Sequence, residues 1–134
     1  MEERLMEFAQ TLDIRNSRGF QAGWQIKCKT LNLIRYADDF VILHKDIKVV
    51  LQAKTIIQEW LSQVGLELKP EKTRIAHTLK EYEGNKPGFD FLGFTVRQWE
   101  VKSTRLGFKT LIKPSSKSIK THYRKLAEIC DKYK

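Results

Sequence analysis

Two adjacent carboxylates, Asp38 and Asp39, stand between two short apolar runs, residues 31–36 and 40–43. Both runs are rich in residues that favour strands, so the stretch predicts a β-hairpin with the aspartates at its tip. Aspartate is common in turns because its side chain hydrogen-bonds the nearby backbone, and this alone would explain the pair. Alternatively, two carboxylates on a rigid hairpin could hold a divalent cation, because Mg²⁺ prefers oxygen ligands.

The elements around this hairpin follow from the spacing of apolar residues. Apolar residues occur at helical spacing over residues 1–12, which predicts a short helix. Residues 13–29 lack this spacing and contain several basic residues, so a basic surface loop is predicted there. After the hairpin, Asp46 is the expected N-cap of a helix to about residue 64, and Gly65 its expected stop. The predicted buried stripe of that helix is Ile47, Val50, Leu51, Lys54 through its aliphatic stem, Ile57, Trp60, Leu61 and Val64.

Further along, Pro70 interrupts regular structure, and residues 74–78 are expected to return as a strand. Residues 84–88 contain two glycines and a proline and predict a turn. Residues 89–99 alternate and are rich in aromatics, which predicts a strand with close backbone approach at Gly93.

The C-terminal part is expected to contain a second hairpin around Phe91, a short strand over residues 108–112 and a final helix. Pro114 ends the sheet, Ser115 and Ser116 are candidate caps, and apolar side chains repeat at helical spacing after them.

The chain of 134 residues carries 25 lysines and arginines against 16 acidic residues, a formal charge of +9. This excess favours a polyanionic partner such as nucleic acid, although a solvated basic surface would have the same composition. Eight of the basic residues and only two acidic ones lie in residues 109–134. The two cysteines are widely spaced, and the sequence shows neither an apolar run long enough to span a membrane nor a signal peptide. Together these features predict a cytoplasmic protein.

Three segments occur in a fixed order along the chain: Tyr36-Ala37-Asp38-Asp39, then Gly65 through Lys72-Thr73, and then Phe91-Leu92-Gly93-Phe94. With a helix between the first two, the set closely resembles the reverse transcriptases of the group II intron-encoded (maturase) and retron-like class. The resemblance implies an α+β fold. Residues 1–112 would form a partial polymerase palm, which includes the predicted loop at residues 13–29. Residues 113–134 then resemble the start of the thumb.

The resemblance also implies roles for the residues of the first two segments. In that class, the positions of Asp38 and Asp39 help to hold two Mg²⁺ ions, and those of Tyr36 and Ala37 face the primer end and the incoming nucleotide. Lys72 matches a lysine thought to protonate the pyrophosphate leaving group, although an exposed lysine after a proline needs no such role. The implied reaction is two-metal nucleotidyl transfer, in which the metals stabilise the attacking and leaving oxygens.

The third segment matches the primer grip of that class, which positions the 3′ end of the primer. It comprises Phe91, Leu92, Gly93 and Phe94, and core packing by the two phenylalanines is compatible with this role. Lys113 and Lys117 begin the stretch that resembles the thumb helix, which packs against the template–primer duplex. The implied partners are an RNA template with a DNA primer, or intron RNA.

One feature of the class is missing. Its metal site needs a further aspartate from an earlier palm strand, and Asp13 lies in a loop-like stretch without a strand pattern. The chain is therefore expected to be a fragment that is inactive alone, that self-associates or that needs a missing N-terminal half. The alternatives are a non-catalytic RNA-binding remnant and a remnant without specific binding. Viral RNA-dependent polymerases share the paired aspartates, but the Lys72 and Phe91 segments match the intron enzymes better.

Overall fold

A computed structural model describes residues 1–15 and 18–133 and divides the chain into two units, Met1–Thr73 and Arg74–Lys134. Within the described residues the fold is α+β, as predicted, with four helices and two small antiparallel sheets. None of the helices in these two ranges is both long and apolar enough to cross a membrane.

The first unit contains the predicted hairpin between helices. Its elements are α1 (Glu2–Thr11), α2 (Trp24–Thr30), β1 (Asn32–Tyr36), β2 (Asp39–Leu43) and α3 (Ile47–Gln63). The two strands pair so that Tyr36 lies opposite Asp39. Asp46 caps α3 as expected, because its carboxylate accepts a hydrogen bond from the Lys48 amide at 2.9 Å. The hairpin is therefore followed at once by a helix with a fixed start.

The core of this unit lies between α1, α3 and the hairpin. It contains six buried side chains: Leu5, Ala9, Leu31, Val49, Ala53 and Ile57. Leu33, Phe40 and Ile42 of the hairpin pack against it. Full burial of one aliphatic side chain of this kind contributes about 1.5–3 kcal/mol, so the core holds the hairpin firmly on α3.

The buried face of α3 differs from the predicted stripe. Ile47 and Leu51 are 38% and 44% exposed, whereas Val49 and Ala53 are buried with Ile57. These three residues follow one another at intervals of four, and the small Ala53 allows close approach of the packed elements. Apolar residues cover more than one side of α3, so their spacing does not distinguish the side that packs from its neighbour.

The predicted loop over residues 13–29 is wrong at its end, because α2 begins at Trp24. The inward-facing residue of α2 is Lys27, which is only 9% exposed. Its ammonium group donates hydrogen bonds to the Gln10 carbonyl at 3.1 Å and the Gln21 side chain at 3.3 Å. A helix held by a buried lysine has no apolar period to detect. Asn16 and Ser17, also in the predicted loop, lie outside the described residues.

The second unit is a three-stranded sheet followed by a helix. Its elements are β3 (Phe89–Phe91), β4 (Phe94–Glu100), β5 (Phe108–Pro114) and α4 (Ser116–Lys132), with strand order β3-β4-β5. Ser115 caps α4 as predicted, because its hydroxyl accepts a hydrogen bond from the Ser118 amide at 3.2 Å. None of the described side chains of α4 is buried.

Two strand predictions in this unit are wrong. The expected strand over residues 89–99 is interrupted at Leu92 and Gly93, which form the turn of the second hairpin. Residues 74–78 form no regular strand, although two backbone hydrogen bonds join them to β4 and to the residue before β3. These bonds join the Gly88 amide to the His77 carbonyl at 2.9 Å and the Gln98 amide to the Thr78 carbonyl at 2.8 Å.

Candidate functional site

The tip of the first hairpin is a two-residue turn formed by Ala37 and Asp38. Ala37 has φ of 50°, a left-handed conformation that costs a residue with a Cβ about 1–2 kcal/mol. Asp39, the first residue of β2, is paired with Tyr36. The strained residue Ala37 therefore separates the two aspartates from the end of β1.

The hairpin presents the paired aspartates away from the core. Side chains alternate between the faces of a strand, and Phe40 and Ile42 point towards α3 with the core. Tyr36 and Asp39 consequently lie on the opposite face, where Tyr36 is 64% exposed. Asp38 at the tip is exposed as well.

The carboxylates of Asp38 and Asp39 are free to bind a ligand. Neither forms a hydrogen bond or an ion pair in the described part of the chain. Adjacent, exposed carboxylate oxygens suit a hard divalent cation, which often takes one or two carboxylates together with substrate phosphates. Across residues 1–15 and 18–133, however, no group of three or more potential metal-ligating side chains is present. Asp38 and Asp39 therefore supply some, but not all, of the ligands that a divalent cation site needs.

Lys72 belongs to the same unit and lies in a tight turn after Pro70. The amides of Lys72 and Thr73 both donate to the Lys69 carbonyl at 3.0 Å, and the Thr73 hydroxyl donates to it at 2.9 Å. The Lys72 side chain is exposed. These hydrogen bonds stabilise the turn. The role of Lys72 in protonating the pyrophosphate leaving group stays a prediction.

The second hairpin has a turn that is anchored through its backbone. Leu92 and Gly93 have φ of 49° and 82°. The Gly93 carbonyl accepts hydrogen bonds from the Ser115 amide at 2.8 Å and the Ser118 hydroxyl at 2.9 Å. A Cβ at Gly93 would lie 2.9 Å from the Ser118 hydroxyl, so glycine is needed for both conformation and space. The turn is thereby held against the beginning of α4.

An open cleft of about 560 Å³ lies between this turn and α4. It includes Lys117, which was predicted to contact nucleic acid, and two basic side chains that sequence reasoning missed, His122 and Lys125. The spacing of Lys117 and Lys125, eight residues apart, could have indicated a shared helix face. The cleft has hydrogen-bond donors and two lysines, which suit a phosphate-bearing ligand, and one carboxylate, Asp90.

The predicted site residues therefore fall into two groups. The tip of the first hairpin holds Tyr36, Ala37, Asp38 and Asp39, whereas Lys72 belongs to the same unit but lies in a separate turn. In the second unit, the cleft joins Phe91, Leu92 and Gly93 to Lys117. Phe94 and Lys113 lie outside that lining, both exposed, on β4 and β5 respectively. Their contacts with nucleic acid stay a prediction.

Comparison with known protein families identifies the class of this chain. The family described as reverse transcriptase (RNA-dependent DNA polymerase) matches residues 7–96, which is more than half of the sequence. The chain therefore belongs to the reverse transcriptase family. Members of this family use divalent metal ions and act on a nucleic-acid template and primer. Neither a curated protein nor a solved structure matches the chain.

Proposed function

We propose that this chain forms part of the catalytic palm of a group II intron-type reverse transcriptase, with Asp38 and Asp39 as Mg²⁺ ligands. The observation that carries the proposal is the position of these carboxylates. They are exposed at a hairpin tip, on the side away from the core, within the segment that matches the family. The partners would be an RNA template with a DNA primer, or intron RNA.

Each residue at the tip has a distinct part in this proposal. When bound, the metal ions would supply charge stabilisation at the attacking and leaving oxygens of nucleotidyl transfer. Asp38 and Asp39 would provide oxygen ligands whose positions are fixed by the packing of Phe40 and Ile42 behind them. Tyr36, opposite Asp39, would present its ring to the primer end or the incoming nucleotide.

Lys72 and the second hairpin would complete the contacts with substrate. The exposed Lys72 ammonium would hold a positive charge, or donate a proton, at the pyrophosphate. The Leu92–Gly93 turn would position the primer strand through its backbone, which Ser115 and Ser118 hold in place. Lys113 and Lys117 would contact phosphates.

We further propose that the chain alone does not polymerise. No cluster of three ligating side chains occurs in the described ranges. Asp13 is engaged elsewhere, in an ion pair with Arg15 at 3.7 Å and a hydrogen bond from Gln21 at 3.5 Å. A further carboxylate would come from a separate stretch of polypeptide. Free Cys28 and Cys130 agree with the reducing cytoplasm that we propose as the compartment.

Primer extension on a primed RNA template with Mg²⁺ tests this proposal. We expect no extension by residues 1–134 alone, and extension when a chain supplying fingers and an additional palm aspartate is added. Asp38→Asn should abolish the restored activity, whereas the surface variant Glu59→Gln should retain it. If the chain alone extended the primer and Asp38→Ala abolished this extension, its own carboxylates would be sufficient for the metal site. That result would contradict the proposal that the chain alone does not polymerise.

The basic composition supports a second candidate, a non-catalytic RNA-binding remnant of such an enzyme. Such a remnant would bind RNA with an affinity that falls steeply with salt and is unchanged by Asp39→Ala. It would not extend a primer even when the chain supplying fingers and a palm aspartate is added. Weak and equal affinity for structured RNA, single-stranded RNA and heparin would instead indicate a remnant without specific binding.

A further inference from the structure

One face of the three-stranded sheet combines positive charge with an exposed indole. Residues paired across antiparallel strands lie on the same face, and alternate residues of each strand share it. The register pairs Thr95 with Lys113, Arg97 with Leu111 and Trp99 with Lys109. We call the surface formed by these six residues the basic face.

The basic face carries a net positive charge. Its cations are Arg97, Lys109 and Lys113, and none of them forms an ion pair in the described chain. The one acidic neighbour across the β3–β4 pair is Asp90, which accepts a hydrogen bond from the Thr95 hydroxyl. Lys109 and Lys113 are exposed at the two ends of the face. The face therefore attracts an anion.

Trp99 is 45% exposed on this face, and its ring orientation is set by a neighbour. The Arg97 guanidinium lies over the ring, 3.8 Å from its centroid. Such a cation–π contact contributes about 0.5–1 kcal/mol at an exposed site and limits the motion of the indole. A positioned, half-exposed aromatic ring on a flat sheet is a stacking surface for a nucleobase.

We propose that the basic face binds single-stranded nucleic acid, with a base stacked on Trp99 and phosphates at Lys109 and Lys113. The two lysines are four residues apart on one strand, about 13 Å, a separation that a short stretch of single-stranded nucleic acid spans. A single strand is favoured over a duplex because a base within a duplex has no free ring face for the indole. This inference rests on the proposed function for its class of partner, and it adds a contact surface outside both hairpin tips.

The test is fluorescence anisotropy with a labelled, unstructured 12-nucleotide RNA, in EDTA, over a series of salt concentrations. Trp99→Ala should weaken binding about 5- to 150-fold, the range for loss of one stacked base. Trp24→Ala is the matched control, since Trp24 is 58% exposed in the first unit and should leave affinity within about twofold.

The charge contribution is tested by a second pair of variants. The double variant Lys109→Gln/Lys113→Gln should reduce the slope of log affinity against log salt by about 1.4, from two lost phosphate contacts on a single strand. Lys86→Gln/Lys102→Gln removes the same charge from exposed loop positions of this unit and should leave the slope nearly unchanged. The lysines are exposed, so this pair remains informative if Trp99→Ala fails to fold.

Unchanged affinity in Trp99→Ala, together with an unchanged slope in the Lys109/Lys113 double variant, would overturn the inference. Duplex RNA that binds more tightly than the single strand and ignores Trp99→Ala would also overturn it. The measurement contains no divalent ion, so it reports on the basic face without any metal bound at Asp38 and Asp39. A failure here is thereby distinguishable from a failure of the proposed metal site, which primer extension tests.

Discussion

The tips of the two hairpins begin with the same left-handed φ but differ at their second residue and in how they are supported. Ala37 and Leu92, the first central residues of the two turns, have φ of 50° and 49°. The Leu92–Gly93 turn is bonded to the start of α4 through the Gly93 carbonyl. The carboxylates at the Asp38 tip have no partner among the described residues.

This difference indicates how each tip would act. A turn that positions a ligand through its backbone needs that backbone anchored, and glycine allows the close approach. A turn that binds through side chains needs them exposed and unpaired, and its rigidity comes from the strands packed on the core. The following variants test this contrast, from the largest expected effect to the smallest.

Gly93→Ala should destabilise the protein by about 2–3 kcal/mol. Alanine is strained at φ of 82° by about 1–2 kcal/mol, and the added Cβ displaces the Ser118 hydroxyl, whose hydrogen bond contributes about 1 kcal/mol. The control is Gly84→Ala, at φ of 75° with open space, which should show the conformational cost alone. Urea unfolding followed by circular dichroism measures both. Equal losses would mean that the anchoring contributes nothing.

Ser115→Ala should cost about 1 kcal/mol, because the helix loses its N-cap and a buried hydroxyl that also donates to Ser118. Ser116→Ala, at the first residue of α4, is the matched control and should change the free energy of unfolding by less than about 0.5 kcal/mol. Thermal unfolding compares the two variants. An effect at Ser116 as large as that at Ser115 would contradict the assigned cap.

Ala37→Gly should stabilise the protein by up to about 1 kcal/mol. Glycine relieves the strain at φ of 50°, and the greater freedom of the unfolded chain offsets part of the gain. The same substitution at Ala127, exposed within α4, should destabilise by about 1 kcal/mol, since glycine is a poor helix former. Opposite signs in urea unfolding are the expected result, and a loss at both positions would argue against strain at the tip.

Sequence reasoning succeeded where the signal is local. Turn-forming residues between apolar runs predicted the first hairpin. The expected hairpin around Phe91 is present, but its turn at Leu92 and Gly93 lies inside the strand predicted over residues 89–99. Sequence reasoning also predicted the caps at Asp46 and Ser115, because their side chains bond the next helical turn. It failed where tertiary contacts decide. The buried Lys27 creates a helix without an apolar period, and the packed side of α3 depends on what α1 and the hairpin present to it.

The same distinction holds for the candidate sites. The residues of the hairpin tips are contiguous in sequence, so motifs identify them directly. The cleft brings Lys125 of α4 to the Leu92–Gly93 turn, and the basic face brings Trp99 of β4 to Lys109 of β5. Each of these sites joins residues that are separated along the chain. Their proximity depends on strand register and on the start of α4, which composition and spacing do not specify.

The central claim is that Asp38 and Asp39 bind a divalent cation, and paramagnetic broadening by Mn²⁺ tests it most directly. In amide-resolved NMR spectra of residues 1–134, millimolar Mn²⁺ should first broaden the signals of residues 36–39. That broadening should be lost in Asp38→Asn and in Asp39→Asn but retained in Asp90→Asn, in the second unit. Broadening elsewhere with none at the hairpin tip, or broadening there that survives both variants, would contradict the account.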